Sequence, residues 1–383
     1  MHPHTSLTRP NSRRRLVRTS ILLASLVGGL IACSSDSNVA IETTVVATTD
    51  APTTSAKPKP TTTTEESTTT SAAPETTTTT APAETTTTLP PKPTYPLTGV
   101  ENPDPAIAAR PALVVKIDNA PGARPQTGFN AADIVYEEIV NDNLTRFALV
   151  FQSGNANPVG PIRSGRLQDV DLFTALDRPL FSWSGGNVTV TRAIDASELH
   201  NVGPSHAKVY YRSKDRKAPH NLYSNTDQLF ALTPIYNPPA KQQFAYREPD
   251  APAAGTPSPG VAVNLDSINV RWDWDAAAGL YKRTMEGKPH MDAGSGQVTT
   301  NNVMILEMQY RPGISNSPDA QTIGGGNVWV LTGGNVIHGT WMREDIHNPF
   351  SLVADDGTTI QLQPGRTFIE LPRPGNTLVL PPA

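Results

Sequence analysis

Aromatic residues are absent from the first quarter of this chain of 383 residues. All 23 of them, 5 Trp, 9 Tyr and 9 Phe, lie at or after Tyr95. Large aromatic side chains dominate burial in protein cores. Residues 1–94 therefore lack the material for a core of their own. The 289 residues that follow are enough for about two domains at roughly 100–200 residues each.

The amino terminus has the pattern of an export signal. Five arginines between Arg9 and Arg18 precede an apolar run from Ile21 to Ile31. This run is too short for the roughly 20 residues that span a bilayer, and it fits the apolar region of a secretory signal. Residues 1–32 are therefore predicted to be a signal peptide. The segment Ser12-Arg13-Arg14-Arg15-Leu16 loosely resembles a twin-arginine signal, which leaves the export route open.

Cys33 is the sole cysteine of the chain and directly follows the apolar run. The segment Leu30-Ile31-Ala32-Cys33 resembles the lipobox of bacterial lipoproteins, whose terminal cysteine carries the lipid through a thioether. We expect Cys33 to be the lipidation site, which would anchor the protein outside the cytoplasm, on the cell membrane of a bacterium. The alternative is an ordinary cleaved signal followed by an unrelated cysteine.

Residues 33–94 are predicted to be a lipid-anchored, disordered stalk rich in Thr and Pro. Residues 41–96 contain 23 threonines among 56 positions. Apolar residues show no periodicity there, so nothing offsets the entropy lost when a chain is ordered. About sixty residues of coil reach about 40 Å on average. The folded part is therefore expected to work at a distance from the membrane.

Residues 95–248 are predicted to form an α/β domain. Apolar runs at Ala112–Ile117, Ile134–Val140 and Leu144–Phe151 indicate strands. Predicted helices and strands then alternate, beginning with a helix over about Gly165–Leu176, as in α/β layer arrangements.

Residues 260–376 are predicted to form a mostly antiparallel β domain, after a boundary rich in Pro, Ala and Gly at 249–259. Ile268, Val270 and Trp272 alternate with polar residues, which is the period of a half-buried strand. Further short strands follow at hairpin spacing. No Lys-Ser or Lys-Thr follows Gly324-Gly325-Gly326, so this glycine run is predicted to be a hairpin turn and not a phosphate loop.

The charge of the chain excludes one class of partner. The formal net charge is -4, and removal of residues 1–32, with five Arg and no acidic residue, leaves it near -9. Nucleic-acid binding by phosphate neutralisation requires a basic excess, so no nucleic-acid partner is expected. Any anion site must be local.

A candidate anion-binding group comprises Arg163, Ser164 and Arg166, ahead of a predicted helix. A helix amino terminus offers unpaired N–H groups, Ser164 could cap it, and arginine forks suit carboxylate or phosphate. The alternative is that both arginines pair inside the protein, with partners such as Asp118, Asp133 or Glu137, and only stabilise the domain.

A second candidate polar site combines Asp118 and Asn119, at the end of a strand, with His220 and Asn221, in the basic stretch Tyr211–Tyr223. Histidine can transfer protons or bind an anion, and ligand-contacting groups often follow the strands of α/β folds. The alternatives are an ordinary turn at Asp118 and a solvated loop held by His220. The six histidines of the folded region lack close metal-ligand spacing, so no metal site is predicted, and a site of His and carboxylates assembled in space stays open. No cofactor is predicted.

Several ordered motifs carry a family resemblance. Lys116–Asn119, Val159–Ser164 and Ala218–Tyr223 resemble the amino-terminal domain of the YerB-like lipoprotein family, and Gly339–Trp341 and Pro364–Thr367 resemble its carboxy-terminal domain. The resemblance covers about residues 96–374 and leaves out the stalk. It implies a pair of domains of unknown function (DUF3048) in secreted or lipid-anchored bacterial proteins, and it brings no catalytic residues.

Two functions remain open. The first, favoured by the absence of a recognisable catalytic constellation, is a non-catalytic envelope lipoprotein that binds a protein partner or a cell-wall polymer. The alternative is an envelope enzyme that acts on a phosphorylated or carboxylated glycan through Arg163 and Arg166, with His220 and with Asp118 as general base. Clustering of these four residues would favour the enzyme, and dispersal would favour the binding module. The oligomeric state stays open.

Overall fold

A computed structural model describes residues 92–101, 104–141 and 143–382. The predicted signal peptide, the lipidation site at Cys33 and nearly all of the predicted stalk lie outside these residues. All of the described residues belong to one compact unit. Among the described helices, none is long and apolar enough to cross a membrane.

Strands outnumber helices in the described residues. The helices are short: α1 Pro105–Ala108, α2 Gln168–Phe173, α3 Val188–Asp195 and α4 Thr226–Phe230, with 3-10 turns at Pro121–Ala123, Phe129–Ala131, Thr174–Leu176 and Ile314–Asn316. The strands before residue 258 are β1 Leu113–Asp118, β2 Ile134–Asn141, β3 Leu144–Phe151, β4 Leu180–Ser182, β5 His200–Asn201, β6 Tyr211–Arg212, β7 Leu222–Tyr223, β8 Ala245–Tyr246 and β9 Thr256–Pro257. Those after it are β10 Gly260–Leu265, β11 Ile268–Asp275, β12 Leu280–Met285, β13 Lys288–Pro289, β14 Met291–Asp292, β15 Gly296–Gln297, β16 Thr299–Thr300, β17 Asn302–Leu306, β18 Tyr310–Pro312, β19 Pro318–Ala320, β20 Gly324–Thr332, β21 Asn335–Arg343, β22 Ser351–Ala354, β23 Gln361–Leu362, β24 Thr367–Glu370 and β25 Thr377–Val379.

One mixed sheet of eleven strands contains strands from both sides of the 249–259 boundary. Its order is β22-β21-β20-β17-β24-β2-β3-β1-β4-β5, and β9 pairs with β21. The strand β24 lies between β17 and β2 and is parallel to both, whereas β3 is antiparallel to β1 and to β2. The amino-terminal region therefore contributes a mixed sheet with little helix, and the mostly antiparallel carboxy-terminal region joins this sheet through the parallel pairing of β24 with β2.

Both faces of the large sheet are covered. All six residues of β1 are buried, and successive residues of a strand point to opposite faces. Val114 belongs to an apolar cluster with residues of α2 and α3, such as Phe173 and Ile194. Val115 belongs to another cluster, with Trp272 and other residues of a six-stranded second sheet. This double coverage explains why the central strands are almost continuously apolar.

Two local predictions differ from the structure. The predicted helix over 165–176 is shorter, because α2 begins at Gln168 and continues as a 3-10 turn. The predicted hairpin turn at Gly324–Gly326 is wrong, since these glycines belong to β20 and pair with β21. A Cβ on Gly326 would lie 2.7 Å from the indole nitrogen of Trp341. Close packing accounts for that glycine, and the hairpin turn follows at Gly333 and Gly334, where φ is 59° and 83°.

Candidate functional site

Charged residues gather at one end of β1, β2 and β3. In β1, Lys116 and Asp118 follow Val114 on the face that α2 and α3 cover, because side chains alternate with a period of two. In the register of the sheet, Arg146 of β3 lies opposite both Asp118 and Glu138. Three neighbouring strands therefore place acidic and basic groups together at the edge of an apolar cluster.

Lys116 forms the innermost part of this charged group. Its Nζ lies 2.8 Å from Asp169 Oδ1 and also contacts Glu138, and all three side chains are fully buried. Gln168 donates to the other oxygen of Glu138 at 2.7 Å. Burial raises the pKa of Glu138 to about 7, although Lys116 opposes this rise. These contacts attach the first turn of α2 to the sheet.

Asp118 holds His220. The imidazole Nδ1 lies 2.7 Å from Asp118 Oδ2, and the other oxygen, Oδ1, accepts from the backbone N–H of Ala120. Arg163 Nε lies 3.3 Å from Oδ2, and its side chain is 28% exposed. His220 lines a cavity of about 510 Å³ together with Gly122, Asp215, Arg216 and Lys217. Since Asp118 occupies Nδ1, Nε2 is the ring nitrogen that is left for a ligand.

Arg146 is a buried cation without an acidic partner in contact. The residue is 5% exposed, and its Nε has no hydrogen-bond partner among the described residues. Its Nη1 makes a long hydrogen bond to the Ser164 carbonyl, at 3.5 Å. Burial, together with the charges of Arg166 and Arg163, lowers the pKa of Arg146 to about 9. The guanidinium is therefore held in a place that favours a bound anion.

Arg166 makes only neutral contacts through its guanidinium. Nε donates to Ser317 Oγ at 2.9 Å, Nη1 to the Gly165 carbonyl at 2.9 Å, and Nη2 to Asn141 Oδ1 at 3.2 Å. The nearby Asp169 accepts from the backbone N–H of Arg166 at 2.7 Å instead. Burial is the main cause of the lowered pKa of Arg166, and Arg163 adds to it.

A glycine-containing loop lies against Arg163 and Ser164. The Ser184 N–H donates to the Arg163 carbonyl at 3.0 Å, and a Cβ on Gly185 would lie 3.3 Å from Ser164 Oγ. The loop leads into α3, whose first turn Asn187 caps by accepting from the backbone of residue 190. The sequence suggested that Ser164 caps α2. In the structure α2 has no side-chain cap, and Ser164 lies beside the loop that leads into α3.

The structure brings together three of the four residues proposed for an enzyme: Asp118, His220 and Arg163. The Arg166 guanidinium contacts Ser317, Gly165 and Asn141 instead, and no hydrogen bond among the described residues links it to Asp118 or His220. Asn221 instead donates to the carbonyls of Ser213 and Arg216 and stabilises its own loop.

Asn119 points to the opposite face of the sheet. It donates to Glu137 and to Thr145 Oγ1, the latter at 2.7 Å. Of the proposed internal partners of the arginines, only Asp118 contacts one, namely Arg163. Asp133 accepts from Gln152 and Ser153, and Glu137 pairs with Arg283. In the described parts of the chain, no group of three His, Cys, Asp or Glu could hold a metal ion.

Arg146 was not singled out as a site residue from the sequence. The available signal was its type, since an arginine interrupts the apolar strand Leu144–Phe151. The sequence did not show that its guanidinium contacts no carboxylate among the described residues, although Asp118 and Glu138 lie opposite it on the neighbouring strands.

The fold and the site describe a mixed-sheet protein with a buried arginine group at one sheet end. Two family models, for the N-terminal and C-terminal domains of "Protein of unknown function (DUF3048)", match residues 97–235 and 261–369. The chain belongs to this family.

A sequence relative and a solved structure agree with this family assignment. The protein named "Putative lipoprotein YerB" of Bacillus subtilis (strain 168) is 29% identical over 287 residues, which cover 72% of this chain and 85% of the relative. A crystal structure of the YerB protein from Bacillus subtilis matches with a TM-score of 0.67 at 25% identity, over 75% of this chain and 99% of that one. The mixed sheet with little helix is therefore shared with a solved structure.

Proposed function

We propose that this chain is a lipid-anchored protein of the bacterial envelope whose folded part binds an anionic cell-wall polymer. The binding site is the arginine cluster, which comprises Arg146, Arg163 and Arg166. Two observations support the anchoring: the Bacillus subtilis relative is named "Putative lipoprotein YerB", and the lipobox-like segment ends at Cys33. The observation that carries the binding role is Arg146, a 5% exposed cation without a carboxylate in contact.

The local charge balance supports this proposal. Four cationic side chains, those of Lys116 and the arginine cluster, face three carboxylates, those of Asp118, Asp169 and Glu138. One of these carboxylates is partly neutral at pH 7, because burial raises the pKa of Glu138 to about 7. A buried charge is costly unless it is paired. An anion would pair with the excess, and the partly exposed Arg163 gives it access from solvent.

The test is retention of the full chain, in a nonionic detergent, on an immobilised glycerol-phosphate polymer. We expect Arg163→Gln to weaken retention about tenfold, because a charge-assisted hydrogen bond is lost. Arg271→Gln is the matched control, since Arg271 is an exposed arginine paired with Asp273 on the second sheet. Equal retention of both variants would refute the arginine cluster as the site. Capture of an envelope protein in place of the polymer would favour a protein partner.

The contact between His220 and Asp118 favours a second candidate, an enzyme that cleaves the bound anion. A carboxylate that holds Nδ1 fixes the imidazole tautomer and leaves Nε2 as proton acceptor for attacking water. His220→Gln should then abolish release of glycerol phosphate from the polymer while retention is unchanged. An intact polymer after prolonged incubation with the parent protein would count against catalysis on this substrate and leave the binding role standing.

A further inference from the structure

A cavity of about 170 Å³ adjoins the arginine cluster and shares Arg166 with it. We propose that this cavity, here called the Asp319 cavity, receives a hydroxyl-bearing ring or short polyol, so that the ligand of the arginine cluster is an anionic carbohydrate. This inference rests on the proposed binding function. The polar residues that line the cavity are Asn141, Arg166, Asn187, Ser315, Ser317 and Asp319.

The Asp319 cavity combines an acceptor with donors, as hydroxyl groups require. Asp319 uses Oδ2 to accept from Arg311, at 2.9 Å and 2.8 Å, and its Oδ1 makes no hydrogen bond within the described part of the chain. Arg166 uses three of its five N–H groups on neutral acceptors, which leaves two donors. A hydroxyl both donates and accepts, so the pair of Asp319 and Arg166 can bind adjacent hydroxyls of one sugar.

The carboxylate in the cavity also decides which part of the ligand enters it. Asp319 disfavours a phosphate or a carboxylate group in the cavity, because its side chain is only 12% exposed and solvent screens its charge poorly; the ion pair with Arg311 offsets part of this repulsion. Arg146 and Arg163 lie outside the Asp319 cavity and attract the anionic group. The arginine cluster therefore binds the charged end of the ligand, and the Asp319 cavity binds its neutral, hydroxylated end.

The size and the remaining walls of the cavity fit a small carbohydrate group. Leu167, Val190, Ile314 and Pro318 line it with apolar surface, which suits the C–H groups of a sugar ring. Pockets for drug-sized ligands start at roughly 300 Å³. The Asp319 cavity is smaller, so it has room for one ring or a short polyol and not for a longer stretch of polymer.

The backbone of one wall is held in an uncommon conformation. Ser315 and Asn316 both have positive φ, at 56° and 59°, and Asn187 donates to Ser315 Oγ at 3.3 Å. Consecutive left-handed residues other than glycine are costly and persist where the surroundings hold them. Gly313, Ile314 and Ser315 of this segment line the Asp319 cavity.

The experiment is isothermal titration calorimetry of the full chain in a nonionic detergent. The probes are inorganic phosphate, glucose 6-phosphate, glycerol 3-phosphate, glucuronate and glucose. We expect at least one anionic carbohydrate to bind about tenfold more tightly than inorganic phosphate, since hydrogen bonds to a charged acceptor contribute about that factor. The affinities for glucuronate and for glucose 6-phosphate, compared with each other, show whether the preferred anionic group is a carboxylate or a phosphate.

The decisive variant is Asp319→Asn. It should remove the advantage of the carbohydrate while inorganic phosphate binds as well as before or better, because a repulsive charge is lost. Asp273→Asn is the matched control, since Asp273 also pairs with an exposed arginine, and it should change neither affinity. If the parent protein bound phosphate and every anionic carbohydrate with equal affinity, the Asp319 cavity would be refuted as a carbohydrate site. The arginine cluster would remain the proposed anion site. Failure of every anion to bind would overturn the proposed function itself.

Discussion

At the scale of single residues, Arg146 is deeply buried and contacts no carboxylate. We therefore expect this side chain to favour anion binding and to lower the free energy of unfolding. Replacement of a buried charge by an apolar side chain of similar size is often neutral or stabilising. Arg146→Met should leave the free energy of unfolding unchanged or raise it by up to about 3 kcal/mol, and it should abolish phosphate binding. Denaturant titration and calorimetry measure the two effects.

Arg283→Met is the matched control for that prediction. Arg283 is as deeply buried, but it contacts Glu137 and lies 3.3 Å from Glu370. Its loss leaves acidic groups unpaired and should lower the free energy of unfolding by about 3–5 kcal/mol. A comparable loss in Arg146→Met would show that Arg146 is structural and not a ligand group.

A second prediction at this scale concerns pH. Burial raises the pKa of Glu138 from 4.5 to about 7. The folded protein therefore holds this proton more tightly than the unfolded chain does, and the stability that results is fully present below about pH 4.5. It is lost as the pH rises towards 7. Glu138→Gln should flatten the fall in the free energy of unfolding over this interval, measured by denaturant titration at several pH values.

An unchanged pH dependence in Glu138→Gln would mean that Asp169 or another group keeps the proton. Asp356→Asn is a suitable control, because Asp356 is fully exposed and its pKa is lowered by hydrogen bonds from Thr358. It should leave the pH dependence of the free energy of unfolding between pH 4.5 and 7 unchanged.

The residues of the site were only partly predictable from the sequence, for a geometric reason. Asp118, Arg163 and His220 stood out by residue type and local motif, and they meet in the structure. Asn119 and Asn221 stood out in the same way, yet the pleat turns Asn119 to the other face and the loop uses Asn221 internally. Arg146 lies in the family-like segment Thr145-Arg146-Phe147 but was not proposed as a site residue, since what distinguishes it is that its guanidinium contacts no carboxylate.

At the scale of elements, the strand β24 shows where periodicity stops being informative. Strands β1, β2 and β3 lie where apolar runs predict them, because a buried strand has a local signature. The segment Thr367–Glu370 reads like any other short strand. Its parallel pairing with β2 joins positions more than two hundred residues apart, and no local pattern encodes that partner.

Phe368 tests how much β24 contributes. Its ring lies 4.8 Å from that of Trp272, between centroids, and 6.1 Å from that of Phe147, so it joins the second sheet to the large one. Phe368→Ala should lower the free energy of unfolding by about 3–5 kcal/mol, as for other buried Phe-to-Ala changes. Leu378→Ala, at a 64% exposed position of β25, should change it by about 0.5 kcal/mol or less. Similar effects of the two changes in denaturant titration would contradict the central role of β24.

At the scale of the whole molecule, fully buried charged side chains of the two family domains pair with each other. Glu137 of β2 contacts Arg283 of β12, which lies 3.3 Å from Glu370 of β24, and Trp272 donates to Glu370 at 2.9 Å. Burial raises the pKa of Glu370 well above its usual range, and the neighbouring Glu137 adds to the rise. The amino-terminal domain alone would leave the buried Glu137 without its cationic partner.

The two domains are therefore expected to fold as one cooperative unit. Residues 95–248 expressed alone would lose β24 beside β2 and would leave Glu137 buried without Arg283, so we expect this fragment to lack a cooperative thermal transition. Residues 85–383 should unfold in one transition, with circular dichroism and tryptophan fluorescence changing together. Addition of a separate fragment of residues 249–383 should restore structure to the first fragment, because it supplies both β24 and Arg283. A cooperative melt of residues 95–248 by themselves would instead show that the large sheet is assembled from two independently stable halves.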